Sequence, residues 1–220
     1  FDALSTLGGP AHRARLDTLS AELDPDDPIN IQFTSGTTGA PKGATLTHEN
    51  IVNNARYVVE RMALSTRDRL CIPVPLYHCF GMVMGTLGCT AVGATMVFPG
   101  ESFAPDTTLV ALSKERCTAL YGVPTMFIAM LEHPSFDDHD LAELRTGIMA
   151  GAPCPSEVMR RVMAQMHMHE VTIAYGMTET SPVSFQSHID DPVDKRVTSV
   201  GRIHPNVEVK IIDSQGRTVA

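Results

Sequence analysis

The sequence is poor in several kinds of residue, and these shortages argue against particular classes of protein. Its 220 residues include no tryptophan, four tyrosines and eight phenylalanines. Basic residues are also in the minority, with 17 lysines and arginines against 25 acids and a net charge of −8. A nucleic-acid binder needs a basic face. We therefore predict no nucleic-acid partner.

Closely paired cysteines are missing as well. The five cysteines are an odd number, lie far apart in the sequence and include no Cys-x-x-Cys pair. A disulfide framework or a structural zinc site would need closer, paired spacing. We therefore predict reduced, mostly buried thiols and a cytoplasmic location.

A stretch without charge, residues 70–100, raises the question of a membrane helix. Pro73, Pro75 and several glycines interrupt it, whereas a membrane-spanning helix needs about 20 strongly apolar residues. We predict no membrane span here. A buried strand, a helix and a second strand suit this composition better.

The overall composition is typical of a chain that folds around a core. Apolar residues make up 43% of the sequence and charged residues 19%, which is not the composition of a disordered tail. We divide the chain into an N-terminal segment with a turn (1–28), an α/β core (29–200) and the start of a β-rich unit (201–220). Phe1 at the beginning and Ala220 just after a turn indicate a piece of a longer protein.

Short apolar runs alternate with helical stretches along the core. Thr47 is a candidate cap for a helix over Glu49–Met62, and Pro105, Pro124 and Pro155 stand where a first helical turn tolerates proline. This alternation predicts an α/β fold with a mostly parallel sheet. The predicted strands are Ile29–Thr34, Leu70–Val74, Ala94–Phe98, Thr118–Tyr121, Gly147–Ala150 and Val171–Ala174. A hairpin formed by 207–212 and 218–219 is predicted to begin an antiparallel unit.

Residues suited to ligand binding follow five of the predicted strands. The five loops are 34–43, 75–78, 122–125, 151–153 and 175–179. Ligands of open α/β sheets bind at the carboxyl ends of the strands. We therefore predict that the five loops converge on one edge of the sheet.

The loop from Thr34 to Gly43 has the composition of a phosphate-binding loop. Seven of its ten residues are Thr, Ser or Gly, and Lys42 adds a positive charge. Glycines let backbone N–H groups turn toward an anion, and hydroxyls add donors. It is not a Walker loop, because Pro41 and Gly43 replace the glycine and the Mg²⁺-binding hydroxyl of that motif. A flexible linker is the alternative, although an apolar strand leads directly into the loop.

Glu179 is the candidate metal ligand that the loop itself lacks. Mg²⁺ prefers one or two carboxylates together with phosphate oxygens and water, and Thr178 offers a hydroxyl beside Glu179. Tyr175 presents a flat face to a nucleotide base, and Gly176 leaves room next to it. Taken alone, Thr-Glu after a strand is a common helix start. The presence of a phosphate loop favours the metal-binding role.

Three segments together, at 34–43, 151–153 and 175–180, resemble the signature motifs of adenylate-forming enzymes: acyl-CoA synthetases, luciferases and peptide-synthetase adenylation domains. The resemblance covers essentially the whole chain, as a middle piece of the family's large N-terminal domain. It implies that the chain handles ATP, Mg²⁺ and, as a co-substrate, coenzyme A.

The resemblance also implies a role for each matching residue. The implied catalytic residues are Lys42 and Thr178 at the phosphates, Glu179 as the Mg²⁺ ligand and His78 at the acyl site. The implied nucleotide-binding residues are Thr34, Ser35, Gly36, Thr37, Thr38, Gly39, Gly151, Ala152, Pro153, Tyr175, Gly176 and Met177. In the family a downstream Asp binds the ribose and a lysine of a C-terminal domain drives adenylation. Neither can be placed before Ala220, so we expect this piece alone to be inactive.

The substrate is predicted to be a fatty acid. Residues 70–100 contain no carboxylate, whereas members of the family that activate amino acids carry an Asp there. Met82, Met84, Met126, Met130, Met149 and Met177 lie in or beside the predicted loops. Flexible thioethers suit a variable aliphatic chain, which we expect to run past His78 and along 122–126. Core filling is the alternative for each methionine taken singly, so the prediction rests on the group. The motifs look most like those of medium-chain fatty acyl-CoA synthetases.

The predicted function is therefore that of an ATP-dependent fatty acid–CoA ligase, which forms acyl-AMP and pyrophosphate and then acyl-CoA. An aryl-CoA ligase or a luciferase-like adenylating enzyme is the alternative within the family. A non-catalytic nucleotide-binding module is the alternative from another class. A serine hydrolase is less favoured, because the segment 100–104 misses the nucleophile-elbow pattern at its last position.

Overall fold

The computed structural model describes residue 3, residues 6–34 and residues 39–219. The helices of this part are α1 (Pro10–Glu22), α2 (His48–Arg61), α3 (Gly88–Val92), α4 (Pro105–Lys114), α5 (Pro124–Leu131), α6 (Ser156–Gln165) and α7 (Val193–Thr198). A π-helix spans Phe80–Leu87, and 3₁₀ turns span Phe136–Asp138 and Thr178–Thr180. The strands are β1 (Pro28–Thr34), β2 (Lys42–Thr47), β3 (Arg69–Cys71), β4 (Thr95–Val97), β5 (Ala119–Gly122), β6 (Thr146–Ala150), β7 (Glu170–Gly176), β8 (Val183–Gln186), β9 (Arg202–Ile203), β10 (Ile211–Ile212) and β11 (Thr218–Val219).

The central sheet has the order β4-β3-β5-β6-β7-β8-β9. The first five of these strands are parallel, and β8 and β9 are antiparallel to their neighbours. Every residue of β5 and β6 is buried, because one core cluster containing residues of α4–α6 and another containing residues of α2 and the π-helix pack around the sheet. Sheets of parallel strands with both faces covered are typical of α/β proteins. The predicted fold class is confirmed.

The first predicted strand does not belong to this sheet. β1 pairs with β2 in a separate antiparallel hairpin, so the loop from Thr34 to Gly43 joins two hairpin strands, and the prediction that it follows a strand of the parallel sheet is wrong. The physical reason lies in the two faces of β1. Ile29, Ile31 and Phe33 are 50%, 61% and 76% exposed, whereas the polar Gln32 between them is buried.

Local signals placed several helix starts correctly. The hydroxyl of Thr47 accepts a hydrogen bond from the backbone N–H of Asn50 at 3.2 Å and caps α2. Helices α4 and α5 begin at Pro105 and Pro124, while Pro155 stands one residue before α6. Proline suits these positions because the first turn of a helix has no partner for its N–H groups.

The uncharged stretch 70–100 forms the predicted strand, helix and strand, with β3 ending at Cys71 rather than at Val74. A Cβ added at Gly81 would lie 2.4 Å from the carbonyl oxygen of Pro75, so only glycine allows this approach of the π-helix. Within the residues that the structure describes, no helix is long and apolar enough to cross a membrane. The predicted C-terminal hairpin is formed by β10 and β11. Four of the cysteines are buried and Cys154 is half-buried.

A cluster of charged and polar side chains ties together the amino ends of the parallel strands. The carboxylate of Asp68, directly before β3, accepts hydrogen bonds from Thr118 at 2.7 Å and from Arg145 at 3.0 Å. Arg145 also binds Glu170 at 2.5 Å. Since these residues stand at the start of β3, β5, β6 and β7, the cluster fixes where the strands begin relative to one another.

We expect Asp68→Ala to lower the free energy of unfolding by about 2–4 kcal/mol, because it leaves Arg145 without its most buried partner. Burial by itself raises the pKa of Asp68, but hydrogen bonds from Thr118, Arg145 and Ser65 outweigh burial and hold the pKa below its ordinary value of 3.8. The contribution of Asp68 is therefore full above pH 3.8 and is lost as the pH falls through the lowered pKa. Urea unfolding at pH 7 and at pH 3 measures both effects.

The matched control is Glu143→Ala, which removes an ion pair with Arg116 whose side chains are 74% and 50% exposed. Exposed pairs contribute about 0–1 kcal/mol. Equal losses of stability in Asp68→Ala and Glu143→Ala would contradict a clamping role for Asp68.

Candidate functional site

A cavity of about 340 Å³ opens at the carboxyl ends of β6 and β7. It brings together segments that are far apart in the sequence: the end of β1, the start of the π-helix, and the turn between β7 and β8. Its lining consists of Thr34, His78, Cys79, Phe80, Met84, Ala150, Gly151, Ala174, Tyr175, Gly176, Met177, Thr178, Glu179, Pro182 and Val183.

The turn between β7 and β8 carries Thr178 and Glu179 and is closed very tightly. A Cβ added at Gly176 would lie 1.8 Å from the carbonyl oxygen of Pro182, so the backbones of these residues touch where only glycine fits. Inside the turn, the hydroxyl of Thr180 accepts a hydrogen bond from the N–H of Met177 at 3.2 Å and lies 2.9 Å from the carbonyl oxygen of Pro182. The turn therefore presents Thr178 and Glu179 from a fixed backbone.

The protonation of His78 follows from its backbone contact. The N–H of Phe80 donates a hydrogen bond to Nδ1 of His78 at 3.0 Å, so in the neutral ring Nδ1 is the acceptor and Nε2 carries the proton. Loss of water around the ring lowers the pKa of His78 below its ordinary value of 6.5. His78 therefore presents an uncharged imidazole whose Nε2–H is available to donate to a ligand oxygen.

Cys79 connects the two walls of this cavity. Its Sγ lies 3.7 Å from the hydroxyl of Thr178 and 3.9 Å from Nδ1 of His78. Burial is the largest influence on the thiol and raises the pKa of Cys79. The side chain therefore remains a thiol at neutral pH and serves as a packing contact between the π-helix and the β7–β8 turn.

A second cavity, of about 530 Å³, adjoins the first. Tyr175, which is 56% exposed, and Gly151 line both cavities. The opposite wall is formed by residues 196–200, which the buried guanidinium of Arg196 fixes by donating to the carbonyl oxygens of Asp191 and Val171 at 2.7 Å each. A flat ligand could lie between the 151–153 loop and Tyr175.

The donors available for a metal ion are few. Across the ranges 6–34 and 39–219, no group of three or more His, Cys, Asp and Glu side chains could hold a metal ion together. Glu179 is an exposed carboxylate on the first cavity, and the half-buried Thr178 lies beside it. This donor set fits a hard cation such as Mg²⁺, which keeps water and ligand phosphate oxygens in most of its coordination positions.

The structure gathers many of the predicted site residues. His78, Thr34, Gly151 and the whole Tyr175–Glu179 segment line the first cavity, and Ala152 and Pro153 line the second. Lys42 pairs with Thr34 across the hairpin, but neither Lys42 nor Gly39 is among the residues that line these two cavities. Ser35, Gly36, Thr37 and Thr38 lie outside the described residues.

The expected wall of six methionines is not present. Met84 and Met177 line the first cavity. Met130 and Met149 are fully buried in a core cluster, and Met82 and Met126 pack against two others. Residues 122–126 do not line the cavity either. Nearness to a loop in the sequence does not determine the face of the sheet on which a methionine side chain lies.

Sequence reasoning also missed several residues of the site. Cys79 and Phe80 directly follow the predicted His78 in the chain, and their nearness to it would have suggested them. Residues 196–200 and Asn54 of α2 carried no recognisable motif. They reach the site only through contacts between distant segments.

Comparison with known proteins identifies relatives over nearly the whole chain. The sequence profile of the AMP-binding enzyme family matches residues 3–220. The candidate acyl-CoA synthetase YngI of Bacillus subtilis (strain 168) is 56% identical over 97% of this chain and 39% of its own length. The human mitochondrial medium-chain acyl-CoA ligase ACSF2 is 46% identical over 88% of this chain and 32% of its own length. The chain thus spans less than two fifths of these two relatives.

Solved structures share the fold. The N-terminal domain of FACL13 from Mycobacterium tuberculosis has a TM-score of 0.80 at 27% identity, over 90% of this chain and 48% of that one. The anthranilate CoA ligase AuaEII, in complex with anthranoyl-AMP, has a TM-score of 0.80 at 26% identity, over 89% of this chain and 37% of that one. ATP-bound MatB from Rhodopseudomonas palustris has a TM-score of 0.76 at 30% identity, over 90% and 38%.

We expect His78 to occur as the neutral tautomer with its proton on Nε2 and to titrate below pH 6.5, because protonation of Nδ1 would break the bond from Phe80 and place a charge in a partly dehydrated site. The stability that His78 contributes is therefore full above pH 6.5 and decreases as the pH falls below that value. Histidine ¹H–¹⁵N correlation spectra recorded from pH 8 to pH 4 measure the tautomer of His78 and the midpoint of its titration. The resonance that disappears in His78→Asn provides the assignment. A proton on Nδ1, or a midpoint at or above 6.5, would refute this description.

Proposed function

The chain belongs to the AMP-binding enzyme family, and from this premise we propose that it is the nucleotide- and acyl-binding part of an ATP-dependent fatty acid–CoA ligase. The proposed enzyme first forms acyl-AMP and pyrophosphate and then transfers the acyl group to coenzyme A. The observation that carries the proposal is the meeting of His78, Gly151 and Glu179 around one cavity beside a second one. The names of YngI and ACSF2 support the same reaction class.

In the proposed reaction, a carboxylate oxygen of the substrate attacks the α-phosphorus of ATP, and pyrophosphate leaves. Tyr175 and the 151–153 loop bind the adenine on the side of the second cavity. The Nε2–H of His78 donates to the substrate carboxylate and orients it without adding a charge. Lys42 brings positive charge to the phosphates and the hydroxyl-rich loop donates hydrogen bonds to them, because stabilising phosphate charge is the main requirement of this chemistry.

Glu179, with Thr178 beside it, would hold Mg²⁺ together with phosphate oxygens. The ion, when bound, supplies charge neutralisation to the phosphates. To hold the ion, the protein must present a carboxylate at a fixed position next to the cavity. The tight closure between Gly176 and Pro182 gives the turn such a position.

An aliphatic acid is the proposed substrate because the cavity offers an acyl chain mostly apolar contacts. Phe80, Met84 and Val183 contribute to its wall, and Glu179 is the one acidic residue in the lining. An amino acid would bury an ammonium group, which is costly unless a carboxylate pairs with it. The medium-chain specificity in the name of ACSF2 supports the same choice. We propose a cytoplasmic location for the enzyme on the sequence evidence alone.

A second candidate substrate class is an aromatic acid. The similarity to the anthranilate CoA ligase AuaEII favours it, and a cavity of about 340 Å³ has room for a benzoate-sized ring. Both acid classes would release pyrophosphate, so that release does not distinguish them. Analysis of the products formed from aliphatic and from aromatic acids decides between the two.

For the full-length protein, we expect Glu179→Gln to raise the Mg²⁺ concentration needed for half-maximal pyrophosphate exchange by about tenfold, because an amide keeps the shape of the side chain but loses the charge that binds a hard cation. The matched control is Glu49→Gln. Glu49 is also exposed and lies with Glu179 on a neighbouring cavity, but it does not line the first one. An unchanged Mg²⁺ requirement in Glu179→Gln would remove Glu179 from the metal site.

The chain length of the acid provides a separate test. Each buried methylene contributes about 0.8 kcal/mol, or roughly fourfold in kcat/KM, until the cavity is full and longer acids are overpacked. We therefore expect kcat/KM of the full-length enzyme to rise and then fall in a series from acetate to palmitate. Benzoate and phenylalanine are the controls, and a flat series or a preference for either control would overturn the fatty-acid assignment.

A further inference from the structure

A buried asparagine of α2 holds the end of the turn that carries Glu179. Asn54 is 7% exposed. Its side-chain amide donates a hydrogen bond to the carbonyl oxygen of Val183 at 2.7 Å, and its Oδ1 accepts one from the N–H of Val183 at 3.2 Å. The amide also lies 3.5 Å from the carbonyl oxygen of Thr180. Asn54 thus pairs with both backbone groups of a residue 129 positions away in the sequence.

These bonds act on the side of the turn that β7 does not reach. On the β7 side, the backbone contact between Gly176 and Pro182 fixes the turn. On the other side, Asn54 imitates the edge of a strand for Val183 and reaches Thr180, the neighbour of Glu179. The backbone that carries Glu179 is therefore held between β7 and α2.

Helix α2 is itself joined to the hairpin that carries Lys42. It begins directly after β2, where Thr47 caps it, and Leu46 of β2 packs in one buried cluster with Ile51 and Ala55 of α2. Asn54 stands at the position before Ala55. A continuous set of contacts therefore runs from the strand of Lys42 through α2 to the turn of Glu179.

From these contacts we infer that Asn54 is a positioning residue for adenylation, which sets the place of Glu179 relative to the phosphate-binding hairpin. The inference rests on the proposed metal-binding role of Glu179. Asn54 lines neither of the two cavities, so its effect on the reaction passes through the β7–β8 turn.

A purely structural role for Asn54 predicts a different result. Removing a buried amide leaves the N–H and carbonyl of Val183 unpaired, which destabilises the fold whatever the site does. A role through Glu179 predicts that the two residues are energetically coupled, because residues that act as a unit have non-additive effects. A double-mutant cycle measures that coupling.

The experiment compares pyrophosphate exchange in the full-length enzyme with Asn54→Ala, Glu179→Gln and the double variant, at a temperature at which urea unfolding shows all three to be folded. We expect Asn54→Ala to lower kcat by about tenfold or more in the native background but by less than about threefold when Glu179 is already Gln. Val59→Ala is the control, since Val59 is a fully buried residue of the same helix. Its effect on kcat is expected to be the same in both backgrounds.

A second variant covers the possibility that Asn54→Ala does not fold. Asn54→Leu keeps the approximate volume without burying a charge and removes both the donor and the acceptor for Val183, and we expect it to show the same coupling to Glu179. Additive effects of Asn54 and Glu179, or equal coupling for Val59, would overturn the positioning role. A native Mg²⁺ requirement in Glu179→Gln would instead refute the proposed role of Glu179 and the inference that rests on it.

Discussion

The ion pair between Asp68 and Arg145 is the interaction on which the arrangement of the sheet depends. Interior strands buried on both faces have no solvent along their length, so polar groups gather at the strand ends. At the amino ends, Asp68 and Arg145 bind each other, Thr118 and Glu170, and thereby align the beginnings of four strands. Because these strands run parallel, their carboxyl ends lie at the opposite edge of the sheet. The carboxyl ends of β6 and β7 consequently meet at one place, and the cavity opens there.

The site is built on this frame by close backbone contacts more than by charges. Gly81 lets the π-helix approach Pro75, and Gly176 lets the β7–β8 turn close on Pro182. The first contact lies at the segment with His78, and the second fixes the turn with Glu179. At both places a side chain on the glycine would push the two touching backbones apart. A hydrogen bond from the side chain of Asn54 in α2 to the carbonyl oxygen of Val183 then completes the support of the turn.

Much of the fold was predictable because its signals are local. Thr47, Pro105 and Pro124 mark helix starts through the chemistry of the first helical turn, and apolar runs such as 147–150 mark buried parallel strands. The motif residues around Tyr175 were also recognised from the sequence, and the structure brings them together with His78. The failures concern pairing that no apolar pattern in the sequence marks. The partner of β1 is β2, a strand that no apolar run indicated. The polar Gln32 of β1 is buried, whereas its apolar neighbours are exposed.

The sequence by itself determined the alternation of elements, the fold class and the identity of the motif residues, because each depends on neighbours within a few positions. Only the tertiary structure decided which cavity each motif faces, which methionines line it and that Asn54 binds Val183. These properties depend on which face of an element meets which partner. That choice minimises the exposure of apolar surface and the number of unpaired polar groups over the whole molecule, so no short segment contains it.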